Sequence, residues 1–74
     1  MPKKIRELKT LLLKAGFLYR SAKGSHTRWY HPLLPEERIT IAGKDGDDAK
    51  AYLEKEVNQK LGKLKLIQEQ EKED

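Results

Sequence analysis

The sequence predicts a single small α+β domain in the order helix, strand, strand, strand, helix. Apolar residues recur at helical spacing near both ends of the chain, and short alternating runs lie between them, separated by glycine- and proline-containing turns. Three short antiparallel strands form the smallest sheet that is stable with helices packed on it. The expected architecture is two helices on one face of a three-stranded antiparallel sheet, with the other face open.

The chain of 74 residues is near the lower size limit for a self-supporting core, and such a chain buries only about 60% of the surface that its unfolded form exposes. It contains no cysteine, which excludes a disulfide framework and a thiolate zinc site. The longest apolar run, residues 11–13, is far shorter than the roughly 20 residues that cross a bilayer. No apolar signal-peptide core follows the basic N-terminus. We therefore expect a soluble cytoplasmic protein that is not associated with a membrane.

The spacing of apolar residues predicts a first helix over residues 3–15, with basic residues at most of the other positions. Gly16 is expected to end this helix, because glycine adopts the left-handed conformation that follows many helices. The same spacing predicts a second helix from about Ala49, which Gly62 weakens without ending. Residues 68–74 are entirely polar, and we expect a frayed or disordered tail there.

The residues on either side of the second helix predict its N-terminus and the end of the domain. Asp47 or Asp48 is a natural N-cap for the second helix, since acidic groups suit the positive end of the helix dipole. The polar tail leaves residues 1–67 as one domain.

Three short runs between the helices predict the strands. Residues 17–21 and 26–31 are extended in pattern and are joined by a turn at residues 22–25, where small residues and a glycine occur. Residues 38–42 predict a third strand, in which apolar and polar side chains alternate. Residues 32–37 contain two prolines and are expected to be a connection.

The second strand has a mixed composition that its period of two separates by face. One face is expected to point outward, and it carries His26, Arg28 and Tyr30. The other face is expected to pack against the core, and it carries Thr27, Trp29 and His31. Trp29 and His31 are therefore expected to be structural rather than part of a site with His26.

Positive charge is concentrated in the first part of the chain. Residues 1–44 contain ten Lys and Arg and three acidic residues, a net charge of +7, whereas residues 45–74 contain six Lys and nine acidic residues, a net charge of −3. A basic half of this kind indicates an anionic partner such as nucleic acid. Lysines that simply keep a small domain in solution explain the same charge, and charge alone does not separate the two.

His26 is the residue best suited to chemistry. Histidine has a free pKa of about 6.5, so it can take a proton from a ribose 2′-hydroxyl or give one to a leaving oxygen. Gly24 permits a tight turn before it, and Ser25 can hydrogen-bond locally. Lys23 and Arg28 supply positive charge for a phosphate. The alternative, which the spacing alone favours, is a histidine at the end of a hairpin whose ring makes an ordinary hydrogen bond.

Three sequence elements together resemble the HicA family of toxins from toxin–antitoxin pairs. They are Gly16-Phe17 after a basic helix, the turn Lys23-Gly24-Ser25-His26, and His31-Pro32. The resemblance spans about residues 3–61, and its most specific part is the Gly-Ser-His element. It implies the double-stranded-RNA-binding fold, an endoribonuclease that acts on mRNA, and a catalytic histidine at His26. It also implies a cognate HicB antitoxin that covers the surface bearing this histidine.

The residues expected to bind RNA are Lys23, Gly24, Ser25, Arg28, Tyr30, Lys3 and Lys4. Tyr30 could stack on a base, although ordinary packing explains it equally well. Residues 45–48 lack the distal glutamate and the ligand spacing of an EF-hand calcium loop. We expect neither a metal site nor a small-molecule cofactor.

Two other functions fit parts of the pattern. One is a non-catalytic RNA-binding module of the same fold, whose affinity would come mainly from Lys and Arg on phosphates. Such modules usually have a lysine cluster at the start of the second helix, where this chain has Asp47, Asp48 and Ala49 with only Lys50. The other is a protein-interaction domain whose open sheet face or edge strand pairs with another chain. It agrees with the toxin hypothesis, because an antitoxin would bind in the same way.

Overall fold

The computed structural model describes residues 3–72 and contains five elements in the predicted order. They are α1 (Ile5–Lys14), β1 (Leu18–Ser21), β2 (Thr27–His31), β3 (Leu34–Ile41) and α2 (Ala51–Lys72). The strands form one antiparallel sheet in the order β1-β2-β3. The α+β prediction is confirmed, and the arrangement is compatible with a double-stranded-RNA-binding fold.

Both helices pack on one face of the sheet, as predicted. The buried strand residues Trp29, Ile39 and Ile41 face them, and α2 contacts both β3 and α1. Burying a large apolar side chain contributes about 1.5–3 kcal/mol, so this layer holds the strands in place. Within the described part of the chain, the core comprises Ile5, Leu8, Leu12, Phe17, Trp29, Leu34, Ile39, Ile41, Ala49, Leu53, Val57 and Leu64.

α1 ends in two backbone hydrogen bonds that require a left-handed residue. The N–H of Gly16 donates to the carbonyl of Leu13 (3.0 Å), and the N–H of Phe17 donates to that of Leu12 (3.0 Å). Gly16 has a φ of +92°, which residues with a side chain rarely adopt. The predicted role of Gly16 is confirmed, and the chain turns there from the helix into the sheet.

β3 begins four residues earlier than predicted, at Leu34. The expected connection over residues 32–37 is therefore wrong for its last four residues, since Leu34 already pairs with His31. Pro35 is tolerated in the strand because β3 is at the edge of the sheet, where one side needs no N–H donor. The prolines and glutamates of this segment gave it the composition of a loop.

A β-bulge interrupts the pairing of β2 with β3 between Trp29 and His31. Trp29 pairs with Ile39 and His31 with Leu34, so β2 advances by two residues while β3 advances by five. β3 therefore has three more residues than β2 over this stretch, and because three is an odd number the bulge reverses which residues of β3 face the helices. Leu34 and Ile39 are consequently both buried, although they are five residues apart.

α2 begins at Ala51, two residues later than predicted, and the expected aspartate N-cap is wrong. The carbonyl of Asp47 accepts a hydrogen bond from the N–H of Ile5 (2.9 Å). Asp48 forms a backbone bridge with Lys4 and an ion pair with its ammonium (2.5 Å). The polar groups of this loop therefore bind the start of α1 rather than the start of α2.

α2 passes through Gly62 without interruption, as predicted, and continues to Lys72. Residues 68–72 are helical where the sequence predicts a frayed or disordered tail, because Glu, Gln and Lys all have high helix propensity. Residues 73 and 74 of that tail lie outside the described residues, and the division at residue 67 stays a prediction. Neither α1 nor α2 is both long and apolar enough to span a membrane.

Candidate active site

A tight turn between β1 and β2 holds His26. The N–H of Ala22 donates to the carbonyl of His26 (2.8 Å) and closes the turn. Gly24 has a φ of +68°, a left-handed conformation that glycine adopts without steric cost. His26 was predicted to be the first residue of the second strand, but β2 begins at Thr27. His26 therefore belongs to the turn, and the turn determines where its ring lies.

The His26 ring is exposed, and the turn holds one of its nitrogens. Nδ1 lies 3.1 Å from the carbonyl oxygen of Lys23. Because a carbonyl oxygen only accepts hydrogen bonds, Nδ1 carries the proton in the neutral ring and Nε2 keeps a free lone pair. The backbone thus selects the tautomer in which Nε2 can act as a base.

The other turn residues that were predicted to bind RNA surround His26. Lys23, Gly24 and Ser25 are all exposed, and a Cβ added to Gly24 meets no atom within 4 Å. The turn is therefore open to a large ligand on the side of Gly24.

β2 separates its residues by face as expected. Trp29 and His31 are 1% and 8% exposed, and Trp29 Nε1 donates a hydrogen bond to Thr27 Oγ1 on the same face (2.9 Å). Arg28 is exposed and Tyr30 is half-buried on the opposite, open face. The predicted outward and packing sets are confirmed for the residues of β2.

His31 belongs to the core and does not share a site with His26. Its Nδ1 accepts a hydrogen bond from the N–H of Leu33 (3.0 Å). Its ring lies edge-on to Phe17, with a centroid distance of 5.1 Å. At a strand rise of about 3.3 Å per residue, His31 is roughly 16 Å from His26. The expected packing of His31 in the core is confirmed.

A groove of about 420 Å³ opens on the helix-free face beside Arg28 and Tyr30. Its lining residues are Arg20, Arg28, Trp29, Tyr30, His31, Pro32, Pro35 and Arg38. Sequence reasoning missed Arg38 and Pro35 as members of a site, because it treated Arg38 only as a polar position of an alternating strand and Pro35 as part of a connection. The alternation of Arg38 with the apolar Ile39 was the one signal that could have placed Arg38 on the open face.

The start of α1 lies at the same end of the sheet as the His26 turn. β3 ends at Ile41, which pairs with Thr27, the residue that follows His26. A Cβ added to Gly43, just beyond β3, would lie 3.6 Å from Ile5. Residues 3–4 are therefore at the same end of the molecule as His26, and their predicted binding of RNA stays a prediction.

Acidic residues nevertheless neutralise part of this basic region. Lys4 pairs with Asp48 (2.5 Å), and Lys9 pairs with Asp45 (2.7 Å). A phosphate at Lys4 would have to compete with Asp48, whereas Lys3 forms no ion pair with the side chains of residues 3–70. The basic helix is thus less available to an anion than its sequence indicates.

Away from the turn, the carboxyl group of Glu37 on β3 meets two lysines of α2. Its carboxylate accepts hydrogen bonds from Lys60 and Lys63, the latter at 2.6 Å. These hydrogen bonds lower the pKa of Glu37 to about 2. The cluster fastens α2 to the sheet. Among the side chains of residues 3–70, no group of three or more His, Cys, Asp or Glu is placed to hold a metal ion.

The fold and the site define a small, basic α+β domain that exposes His26 on a turn between two strands. The family model described as HicA toxin of bacterial toxin–antitoxin matches residues 5–66, which is most of the chain. The chain therefore belongs to the HicA toxin family. It is the toxin of a toxin–antitoxin system, and its partner is a cognate antitoxin. No curated protein and no solved structure gives a significant match.

Proposed function

We propose that this toxin is an endoribonuclease that cleaves mRNA in the cytoplasm, with His26 as its acid–base group and without a metal ion. The observation that supports this most strongly is the state of the His26 ring. The ring is exposed, its Nδ1 lies 3.1 Å from the carbonyl oxygen of Lys23, and its Nε2 has no hydrogen-bond partner among the described residues. A base with a fixed tautomer and an open approach is what abstraction of a proton from RNA requires.

The reaction starts at the free lone pair of His26. Nε2 removes the proton of a ribose 2′-hydroxyl, and the 2′-oxygen attacks the adjacent phosphorus. The bond between the 2′-oxygen and phosphorus forms while the bond from phosphorus to the 5′-oxygen breaks. The 5′-oxygen takes a proton from solvent, and Nε2 of His26 releases the proton it removed to solvent. The fragments carry a 2′,3′-cyclic phosphate and a 5′-hydroxyl.

Two cations beside His26 are suited to stabilise the charge that develops on the phosphate oxygens. Lys23 lies within the turn, and Arg28 is two residues beyond His26, at most about 7 Å along the chain. Both side chains are exposed, and neither has a carboxylate partner among the described residues. They are therefore available to hold the scissile phosphate against Nε2.

The antitoxin is proposed to be a HicB-like protein that binds the toxin directly, as in type II systems, and covers His26. The turn supports this because it is exposed at one end of the sheet. A protein bound over residues 23–26 would exclude RNA from Nε2 without changing the fold.

The test is cleavage of a labelled transcript by the purified toxin in EDTA, with His26→Asn as the comparison. The asparagine amide can still donate to the Lys23 carbonyl in place of Nδ1, so the turn is retained while the base at Nε2 is lost. Removing a general base typically lowers the rate about 10²- to 10⁴-fold. Wild type is expected to cut in EDTA and to leave cyclic-phosphate ends.

Equal cleavage by wild type and His26→Asn would refute this mechanism, since another residue or a contaminating nuclease would then be responsible. Cleavage that stops in EDTA would refute the metal-free reaction. RNA binding by both proteins without cleavage by either would favour a non-catalytic RNA-binding module.

A further inference from the structure

Three arginines lie on the open face of the sheet, one on each strand. Arg20 of β1 pairs directly with Arg28 of β2, and Arg28 pairs with Thr40 of β3. Arg38 is two residues from Thr40 and is thus diagonal to Arg28. Directly opposed side chains are about 5 Å apart at Cβ and diagonal ones about 7–8 Å. The three arginines therefore occupy neighbouring positions, which together extend across all three strands of the sheet.

These arginines have no carboxylate partner among residues 3–70, whose side chains the structure describes. The four ion pairs of that part of the chain use lysines only, at Lys4, Lys9, Lys60 and Lys63. Like charges directly opposed across strands are destabilising. An anionic ligand on this face would reduce that repulsion, since no acidic side chain among residues 3–70 pairs with these arginines.

The groove adds an aromatic surface to this positive charge. Tyr30 is half-buried in it, next to Arg28 along the same face of β2 and across from Arg38 and Pro35 of β3. The bulge between Trp29 and His31 lies beside Tyr30, and bulges commonly redirect side chains at functional sites. A nucleotide base can stack on such a ring while the phosphates on either side of it contact the flanking guanidinium groups.

We propose that the open face of the sheet binds single-stranded RNA across all three strands, with phosphates on Arg20, Arg28 and Arg38 and a base stacked on Tyr30. The proposal rests on the proposed function in taking RNA as the substrate, and it extends the RNA site from the His26 turn over the open face of the sheet. Arginine binds phosphate in a bidentate manner, and stacking on an aromatic ring requires an unpaired base. Three strands at a spacing of about 4.8 Å fit two or three nucleotides.

The test measures binding of a fluorescent ten-nucleotide oligouridine to toxin in which His26→Asn prevents cleavage. In this background, the double variant Arg20→Ala/Arg38→Ala is compared with Lys55→Ala/Lys65→Ala. The control removes the same charge from exposed positions on α2 that form no ion pair among the described residues.

The arginine variant is expected to bind at least tenfold more weakly, and the control within about twofold of its parent. The slope of log K against log salt should fall by about 1.4 in the arginine variant, at about 0.7 per lost phosphate contact. Tyr30→Ala should weaken binding further, whereas Tyr52→Ala, an exposed tyrosine of α2, should not.

Equal weakening by the two double variants would overturn the proposal, since diffuse charge would then explain the affinity. Failure of the His26→Asn protein to bind the oligouridine would also overturn it. So would full RNA affinity in the arginine variant with loss of antitoxin binding, which would assign the face to the antitoxin. Cleavage of a transcript by the wild-type protein is measured separately. It shows whether the endoribonuclease proposal fails independently of the proposed RNA-binding face.

Discussion

Gly16→Ala is expected to destabilise the toxin through two separate effects. Gly16 has a φ of +92°, and a left-handed conformation costs a residue with a side chain about 1–2 kcal/mol. The added Cβ would also lie 3.2 Å from His31 Nε2. The buried His31 ring would then have to move, which weakens the hydrogen bond from Leu33 N–H to its Nδ1. Such a hydrogen bond contributes about 1 kcal/mol.

The two effects together come to about 2–3 kcal/mol, which for a domain of this size corresponds to a fall in Tm of roughly 10–20 °C. Two other glycines separate the effects. Gly24 has a φ of +68° but open space around it, so Gly24→Ala should cost only the backbone term, about 1–2 kcal/mol. Gly62 lies in α2 with nothing within 4 Å, so Gly62→Ala should stabilise by about 1 kcal/mol.

The assay is thermal unfolding of the four proteins followed by far-ultraviolet circular dichroism. From the highest Tm to the lowest, the expected order is Gly62→Ala, wild type, Gly24→Ala and Gly16→Ala. If Gly16→Ala were no less stable than Gly24→Ala, the contact between position 16 and His31 would contribute nothing, and the placement of His31 against the end of α1 would be refuted.

Three further predictions concern pH and packing. Hydrogen bonds from Lys60 and Lys63 hold the pKa of Glu37 at about 2 against an ordinary 4.5, so they stabilise fully above pH 4.5 and progressively less toward pH 2. Glu37→Gln should therefore lower the Tm at pH 7 and converge on wild type near pH 2; an offset independent of pH would contradict this. Tyr19 stacks on Trp29 at 4.7 Å, so Tyr19→Ala should shift tryptophan emission to longer wavelength, and unchanged emission would exclude shielding by this ring. Trp29→Ala should cost about 3–5 kcal/mol in urea unfolding; a small loss would contradict its place in the core.

Local signals were sufficient to predict the order of elements and the faces of β2. The alternation that separates Arg28 from Trp29 depends only on the pleat of a strand. The left-handed end of α1 at Gly16 depends only on the chemistry of glycine. Both are properties of a few neighbouring residues, so the sequence alone could reveal them.

Features that depend on distant residues could not be predicted. The aspartates before α2 have the chemistry of a helix cap, but Asp48 pairs with Lys4, 44 residues away. The start of β3 at Leu34 depends on pairing with His31 across a bulge. Residues 68–72 were expected to be irregular from polarity, whereas helix propensity decides their conformation.

The candidate site was predictable in its composition and not in its geometry. The position of His26 after a glycine-serine turn is visible in the sequence. The hydrogen bond that sets the tautomer of its ring depends on where the turn directs the Lys23 carbonyl. The groove beside Tyr30 likewise depends on the bulge and the sheet order, which bring Pro35 and Arg38 of β3 beside this ring.

The most direct test of the proposed catalytic role of His26 is growth of cells in which the toxin is induced, as wild type or His26→Asn, with and without the proposed HicB-like antitoxin. The expected result is growth arrest with wild type alone, relief by the antitoxin, and no arrest with His26→Asn present at the same level. Arrest that persists with His26→Asn would contradict the assignment of His26 as the catalytic group.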